Sequence, residues 1–184
     1  ISVAALTESK VLVAYVGGDN KDGLAVVLTI DGTVITVGQV KSFHNGPTQY
    51  ISVEALSETK AVIVYQYGSS QYVGYAEVIN VNGTDITGNN DIVWGSKSVS
   101  GSSGLFYGYI STVALTESKV LVACCGISGN ADKGIACVLT VGDKAVTAGP
   151  MFTFNTSVTA FTSVTKLTDS KVLVAYKATE TDED

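Results

Sequence analysis

One phrase, written four times, constrains this chain more than anything else in it. ISVAALTESKVLVAY at residues 1–15 returns with substitutions at residues 51–65, 110–124 and 162–176. A period of about fifty residues marks a repeat architecture, in which one supersecondary unit is copied and the copies must stack to bury their apolar surface. Lys10, Lys60, Lys119 and Lys171 hold the same slot at spacings of 50, 59 and 52 residues, so the second copy carries an insertion. Aromatic landmarks locate it. Thr36, Thr87 and Thr147 are each followed seven residues later by an aromatic, Phe43, Trp94 or Phe154. The aromatic that immediately precedes the next copy comes seven residues on in the first and third copies (Tyr50, Phe161) but fifteen on in the second (Tyr109). The extra length falls in residues 96–108, whose Ser and Gly content predicts a flexible surface loop.

Each full copy reads as four short strands. Residues 2–6 and 11–15 flank the turn Thr7-Glu8-Ser9-Lys10, a polar Gly-rich loop at 17–22 leads to a strand at 24–30, and Asp31-Gly32 signals a tight hairpin into a strand at 33–37. The middle strands, such as Val11-Leu12-Val13-Ala14, are apolar on both faces, so both faces need cover. The fourth is more polar, as in Asp85-Ile86-Thr87-Gly88. The pattern predicts an all-β fold, a β-propeller-like array of four-stranded antiparallel blades, with three and a half repeats in one domain spanning 1–184. The blades are placed at about 1–50, 51–109 and 110–161, with a half blade at 162–176 and an acidic tail at 177–184. A β-trefoil is the alternative, and it accounts less well for the partial fourth copy. An array of this size leaves open ends, so other copies of the chain, or further repeats and chains completing the propeller, are expected partners. The start at Ile1, inside the repeat phrase and without Met, points to a processed product or a piece of a longer polypeptide.

Charge narrows the ligand classes. The net charge is -6 and all eleven basic residues are Lys, which disfavours nucleic acid as a partner. The apolar runs are too short for a membrane span. Cys124, Cys125 and Cys137 occur in the third copy alone and read as small buried hydrophobes, with a bridge from Cys137 to one of the pair left open. No catalytic residue, metal or cofactor is expected. Glu8, Glu58, Glu117 and Asp169 repeat in the first turn, where the acid is expected to cap backbone amides, and no two unique acids stand out as a glycosidase pair. His44, the single histidine, lies in the polar stretch His44-Asn45-Gly46-Pro47 and reads as a solvated loop residue. Asp19-Asn20-Lys21-Asp22 has oxygen donors suited to calcium, but its Lys and the unlike loop at 68–72 argue against a repeated site. Sialidase chemistry needs arginines that the chain lacks.

Aromatics in the second copy are the most promising ligand-contacting material. Tyr15, Tyr65 and Tyr176 share one repeat position, and Tyr50 and Tyr109 another, so these five read as scaffold. Tyr67, Tyr72, Phe106 and Tyr107 escape the repeat, and among Gly, Ser and Gln they make the expected binding set.

The phrase Leu-Thr-(Glu/Asp)-Ser-Lys-Val-Leu-Val-Ala-Tyr, then a Gly-started strand ending Val-Leu-Thr-Ile and Asp-Gly-Thr-x-Ile-Thr, resembles a known family of repeats of about fifty residues. These occur in uncharacterised bacterial and phage or prophage proteins, including tail-associated and cell-surface ones. The resemblance runs from Ile1 to Tyr176 and implies a propeller-type fold in an extracellular or virion-associated setting. It carries no catalytic motif. The expected function is a noncatalytic recognition or adhesion module for a glycan or host-surface protein. A structural building block of a virion, phage tail or filament is the alternative, and a glycan-active enzyme the distant one.

Overall fold

The repeat phrase folds as expected, into hairpins that each belong to one copy. The structure, a computed structural model, describes residues 1–68, 73–87, 92–93, 105–127, 132–143 and 145–179. The first blade comprises β1 (Ser2–Thr7), β2 (Lys10–Gly17), β3 (Asp22–Asp31), β4 (Val34–Val37) and β5 (Lys41–His44). The second has β6 (Thr48–Ser57), β7 (Lys60–Tyr67), β8 (Val73–Asn82), β9 (Asp85–Thr87) and β10 (Ile92–Val93). The third has β11 (Leu105–Thr116), β12 (Lys119–Ile127), β13 (Asp132–Val141), β14 (Val146–Ala148) and β15 (Phe152–Asn155). The half blade is the pair β16 (Val158–Thr168) and β17 (Lys171–Thr179). All pairing is antiparallel, and the described residues contain no helix.

Every described ladder joins strands of the same copy, which fits stacked blades and not a trefoil, where strands of different copies close a shared barrel. First strands of successive blades lie side by side, β1 by β6, β6 by β11 and β11 by β16. Hydroxyls staple them. Ser2 Oγ accepts from the Val53 amide at 3.0 Å, and two boundaries further on Ser111 Oγ accepts from the Val164 amide at 3.1 Å. Between these, Ser52 Oγ lies 2.7 Å from Thr112 Oγ1.

The fourth strand read at 33–37 forms as β4, but it is only part of the outer strand, and β5 was not read from the sequence. The outer strand is split, with β4 pairing the end of β3 and β5 pairing its start. Gly38 makes the break: its N–H donates to Val27 O at 2.9 Å, and a Cβ there would lie 2.9 Å from the same oxygen. Gly149 repeats this against Val138 O. Other boundaries shift as well. β11 begins at Leu105, so residues 105–108 belong to a strand and not to the expected loop, while 96–104 lie outside the described residues. β17 continues past Tyr176 to Thr179, with Val158 opposite Thr179, and takes up the start of the expected tail.

The first-turn acids do not cap the turn. The residue before each acid does: Thr7 Oγ1 accepts from the Ser9 amide at 3.2 Å, and Ser57, Thr116 and Thr168 repeat the bond. A short hydroxyl reaches its own backbone two residues on, which a longer carboxylate side chain does less well.

Apolar layers between blades form the core. Leu6, Leu12, Ala14, Ala25, Val27 and Phe43 of the first blade pack on Ile51, Val53, Ala61, Ile63, Tyr65 and Ile79 of the second. Leu56, Val62, Val64, Ala76 and Val78 then meet Val120, Val122, Cys124, Ile135, Cys137 and Leu139. The three cysteines are buried and none is in a disulfide. Burial holds the Cys124 thiol well above its ordinary value, helped by the neighbouring thiols, and pushes Cys137 up to about 12. Both fill space as neutral thiols.

Aromatic pegs cross the layers. Phe43 lies over Gly23 and meets Tyr65 of the next blade at 5.1 Å between centroids, and Phe154 lies over Gly134 and meets Tyr176 at the same distance. A Cβ on Gly23 would sit 2.4 Å from Phe43 Cε2, so the peg needs glycine beneath it.

Two blade faces are uncovered in the described chain. Val3, Val13 and Val26 share a face through their register, and so do their counterparts Val53, Ile63 and Glu77. Val53 is 3% exposed against the first blade, whereas Val3 is 56% exposed. At the other end Leu173, the counterpart of fully buried Leu12, is 55% exposed.

Gly23→Ala is expected to cost about 1–3 kcal/mol through overpacking against Phe43. Adding Phe43→Leu should recover part of the loss. Urea unfolding of the two single variants and the double variant checks the coupling, and additive effects would contradict the peg.

Candidate functional site

Strand direction decides which segments meet. Because β1 and β2 turn back at Glu8 and Ser9, the starts of the first strands, the loop after β2 and the connection after β5 all reach the same edge of the array. There the first two blades form an open depression of about 610 Å³. Asp19, Asn20, Lys21 and Asp22 line one side, and Asn45, Gly46, Pro47, Gln49 and Gly68 the rest.

Backbone bonds hold the rim. The Gly46 amide donates to Asp22 Oδ1 at 2.7 Å, the Thr48 amide to Lys21 O at 3.0 Å, and the Gly68 amide to Pro47 O at 3.2 Å. Ser42 Oγ donates to Asn45 Oδ1 at 2.9 Å. Gly46 has a φ of 121° and lies against Tyr67, whose Cε2 would be 3.3 Å from a Cβ there. A larger residue at this position would be strained and would crowd the ring.

Behind the rim stands an aromatic cluster built around the histidine. His44 is the last residue of β5, half-buried, and not a solvated loop residue. Its Nδ1 lies 3.1 Å from the Tyr65 hydroxyl, and the imidazole tautomer sets which group donates. Tyr67 meets the His44 ring edge-on at 4.8 Å, and Tyr65 stacks on Tyr75 at 5.7 Å with 16° between planes. The alternation of β7 puts Tyr65 and Tyr67 on one face, and Tyr65 lies opposite Tyr75 in register, so all three project toward the first blade. Tyr67 is thus half-buried against His44, Tyr75 and Gly46, behind the residues that line the depression.

Of the expected binding set, Tyr67 is the residue the structure brings to this edge. Tyr72 lies outside the described residues. Phe106 and Tyr107 sit in β11 with Gly126 and Cys125 as register partners, and their backbone starts the third blade's first strand at the same edge. At the proposed calcium loop Asp22 Oδ1 already accepts from Gly46, and among the described residues no three His, Cys, Asp or Glu side chains come together to hold a metal. Among the described residues no helix is long and apolar enough to cross a membrane.

Two unique acids do stand out once the copies are set in register. Glu54 takes the column of Ala4, Val113 and Thr165, and Glu77 the column of Val26 and Cys137. A charge in an otherwise uncharged strand column was the available signal. Glu77 is fully buried in the layer between the first two blades. Glu54 points the other way, toward the third blade. Burial raises its carboxyl from 4.5 to about 7, opposed by the Ala114 amide, which donates to it.

Comparison with known proteins returns no matching family model and no matching curated protein.

The Glu54 shift has a stability consequence. The folded state holds this proton more tightly than the unfolded chain, so the contribution is complete below pH 4.5 and lost as pH rises through about 7. The loss should be on the order of 2 kcal/mol after allowance for solvent screening of a half-buried group. Urea unfolding at a series of pH values tests it, and Glu54→Gln should remove this component. An unchanged pH profile in that variant would contradict the assignment.

Proposed function

We propose that the chain is a noncatalytic recognition module that binds a glycan at the edge shared by its first two blades, in an extracellular or virion-associated setting. One observation carries the reading: the depression gathers carboxylate and amide side chains on a rim fixed by hydrogen bonds, and the Tyr67 ring lies directly behind Gly46 of that rim. Sugars present hydroxyls that Asp, Asn and Gln can bond and an apolar C–H face that stacks on aromatic rings. The rim bonds to Asp22 and Lys21 reduce the ordering that binding must impose. The setting rests on the resemblance of the repeat phrase to tail-associated and cell-surface proteins.

A glycan array followed by titration calorimetry on the retained sugar tests the reading. Asn45→Ala and Tyr67→Ala should each weaken binding about tenfold or more, equivalent to ~1.4 kcal/mol, with little change in melting temperature. Retention of a host-surface protein and of no sugar would replace the glycan with a protein receptor. Binding unaffected by both substitutions would move the site elsewhere.

The uncovered faces favour a second reading, a self-associating structural building block of a virion, phage tail or filament. Val3 and Leu173 are exposed where their counterparts Val53 and Leu12 are buried against a neighbouring blade. Association through such unlike faces is head to tail, giving a ring or an open filament. Sedimentation should show concentration-dependent association that Val3→Lys or Leu173→Lys weakens. A stable monomer at high concentration would remove this reading.

A further inference from the structure

Three aromatic residues occupy backbone positions that disfavour them. Tyr50, Tyr109 and Phe161 have φ values of 48°, 54° and 52°, in the left-handed region where Gly or Asn is the usual occupant. Each sits in an irregularity of a blade's first strand, between Gln49 and Ser52, between Tyr107 and Ser111, and between Ala160 and Ser163. The bulges turn their rings toward one another. Centroids are 5.7 Å apart from Tyr50 to Tyr109 and 4.6 Å from Tyr109 to Phe161, with 51° and 49° between planes. One row of rings therefore spans three first strands and crosses two blade boundaries, from β6 through β11 to β16. Gly108 makes room for it, since a Cβ there would come within 3.0 Å of Tyr50 Cζ.

Burial does not account for the choice of residue. Tyr50 is 44% exposed and Phe161 63%. Ring contacts are worth about 0.5–1.5 kcal/mol each, while a bulky residue in this region costs about 1–2 kcal/mol, so the row gains little as a brace. Tyr109, between them, is half-buried, and strain that recurs along a row with exposed ends is the pattern of a ligand-facing position.

We infer that the Tyr50, Tyr109 and Phe161 row is a stacking track for an extended neutral polysaccharide, one sugar unit per ring. The inference rests on the glycan reading and extends it from a pocket to a chain. Rings 5.7 and 4.6 Å apart at one repeated position of successive blades suit a linear polymer of repeating units. The flanking side chains are neutral: Gln49 brings an amide to the end of the row, and the Ser52, Thr112, Ser111 and Thr162 hydroxyls are engaged in bonds between the blades beneath it. With a net charge of -6 and no Arg, the chain is poorly suited to a polyanion. Gln49 lines the depression and directly precedes Tyr50, so track and depression share an edge.

Affinity electrophoresis through hydroxyethylcellulose, laminarin and dextran, with polygalacturonate and a proline-rich peptide as comparators, tests this. At least one neutral polysaccharide should retard the protein and polygalacturonate should not. Tyr50→Gly and Phe161→Gly should each reduce retardation severalfold while melting at or above the parent temperature, because glycine accepts the left-handed backbone. Tyr50→Asn, which also tolerates that geometry, should behave alike. Affinity for oligosaccharides of the retarding polymer should climb from two units to three and then level off. Undiminished retardation in the glycine variants, with Asn45→Ala still abolishing it, would overturn the track and leave the glycan reading standing. No retardation by any neutral polysaccharide would overturn both. Peptide binding lost in the same variants would assign the row to a peptide and end the sugar inference.

Discussion

A strand that is apolar on both faces cannot rest in a sheet with water on one side, and the rest of this structure follows from that constraint. Leu12 and Val13 are neighbours in sequence and point to opposite faces of β2, so the first blade needs cover on each side. Stacking blades supplies it. The layers then dictate smaller features: glycine beneath Phe43 and Phe154, hydroxyl staples between first strands, and thiols where the third blade has room for small side chains. The same constraint leaves the Val3 and Leu173 faces uncovered in the described chain, because a stack of unlike faces has two ends.

Against this uniform background the second blade is the specialised copy. Buried polar side chains are costly unless bonded, so their placement is informative. Gln66 and Glu77 are buried in its strands, with half-buried Glu54 on its first strand. Tyr67 and Tyr75 take the columns of Gly17 and Leu24. The first blade's own contribution, His44, reaches this cluster from the end of β5. Departures from the repeat thus gather at one blade and its boundary with the first, beside the depression.

Legibility differed sharply between strands and site. The hairpins were readable because period-two patterning, Asp-Gly turns and the repeated phrase all act locally. Tyr67 was readable as a departure from its column. His44 was not, since a histidine beside Asn-Gly-Pro looks solvated until β5 is seen to pair with the start of β3. Glu54 and Glu77 escaped notice because their meaning lies in a column shared by distant copies, and Tyr50, Tyr109 and Phe161 because a φ near 50° leaves no trace in residue type except a choice that looks wrong for it.

The sequence by itself determined the all-β class, the copy number and the need for stacked sheets, since each follows from short-range patterning repeated along the chain. Tertiary structure decided the rest: the split fourth strand, the side of each acid, the meeting of His44 with three tyrosines, and the row of strained rings. These depend on register and on which face meets which neighbour. A shift of one residue in a strand exchanges its two faces. With apolar residues on both faces, the pattern alone does not say which of them looks toward which blade.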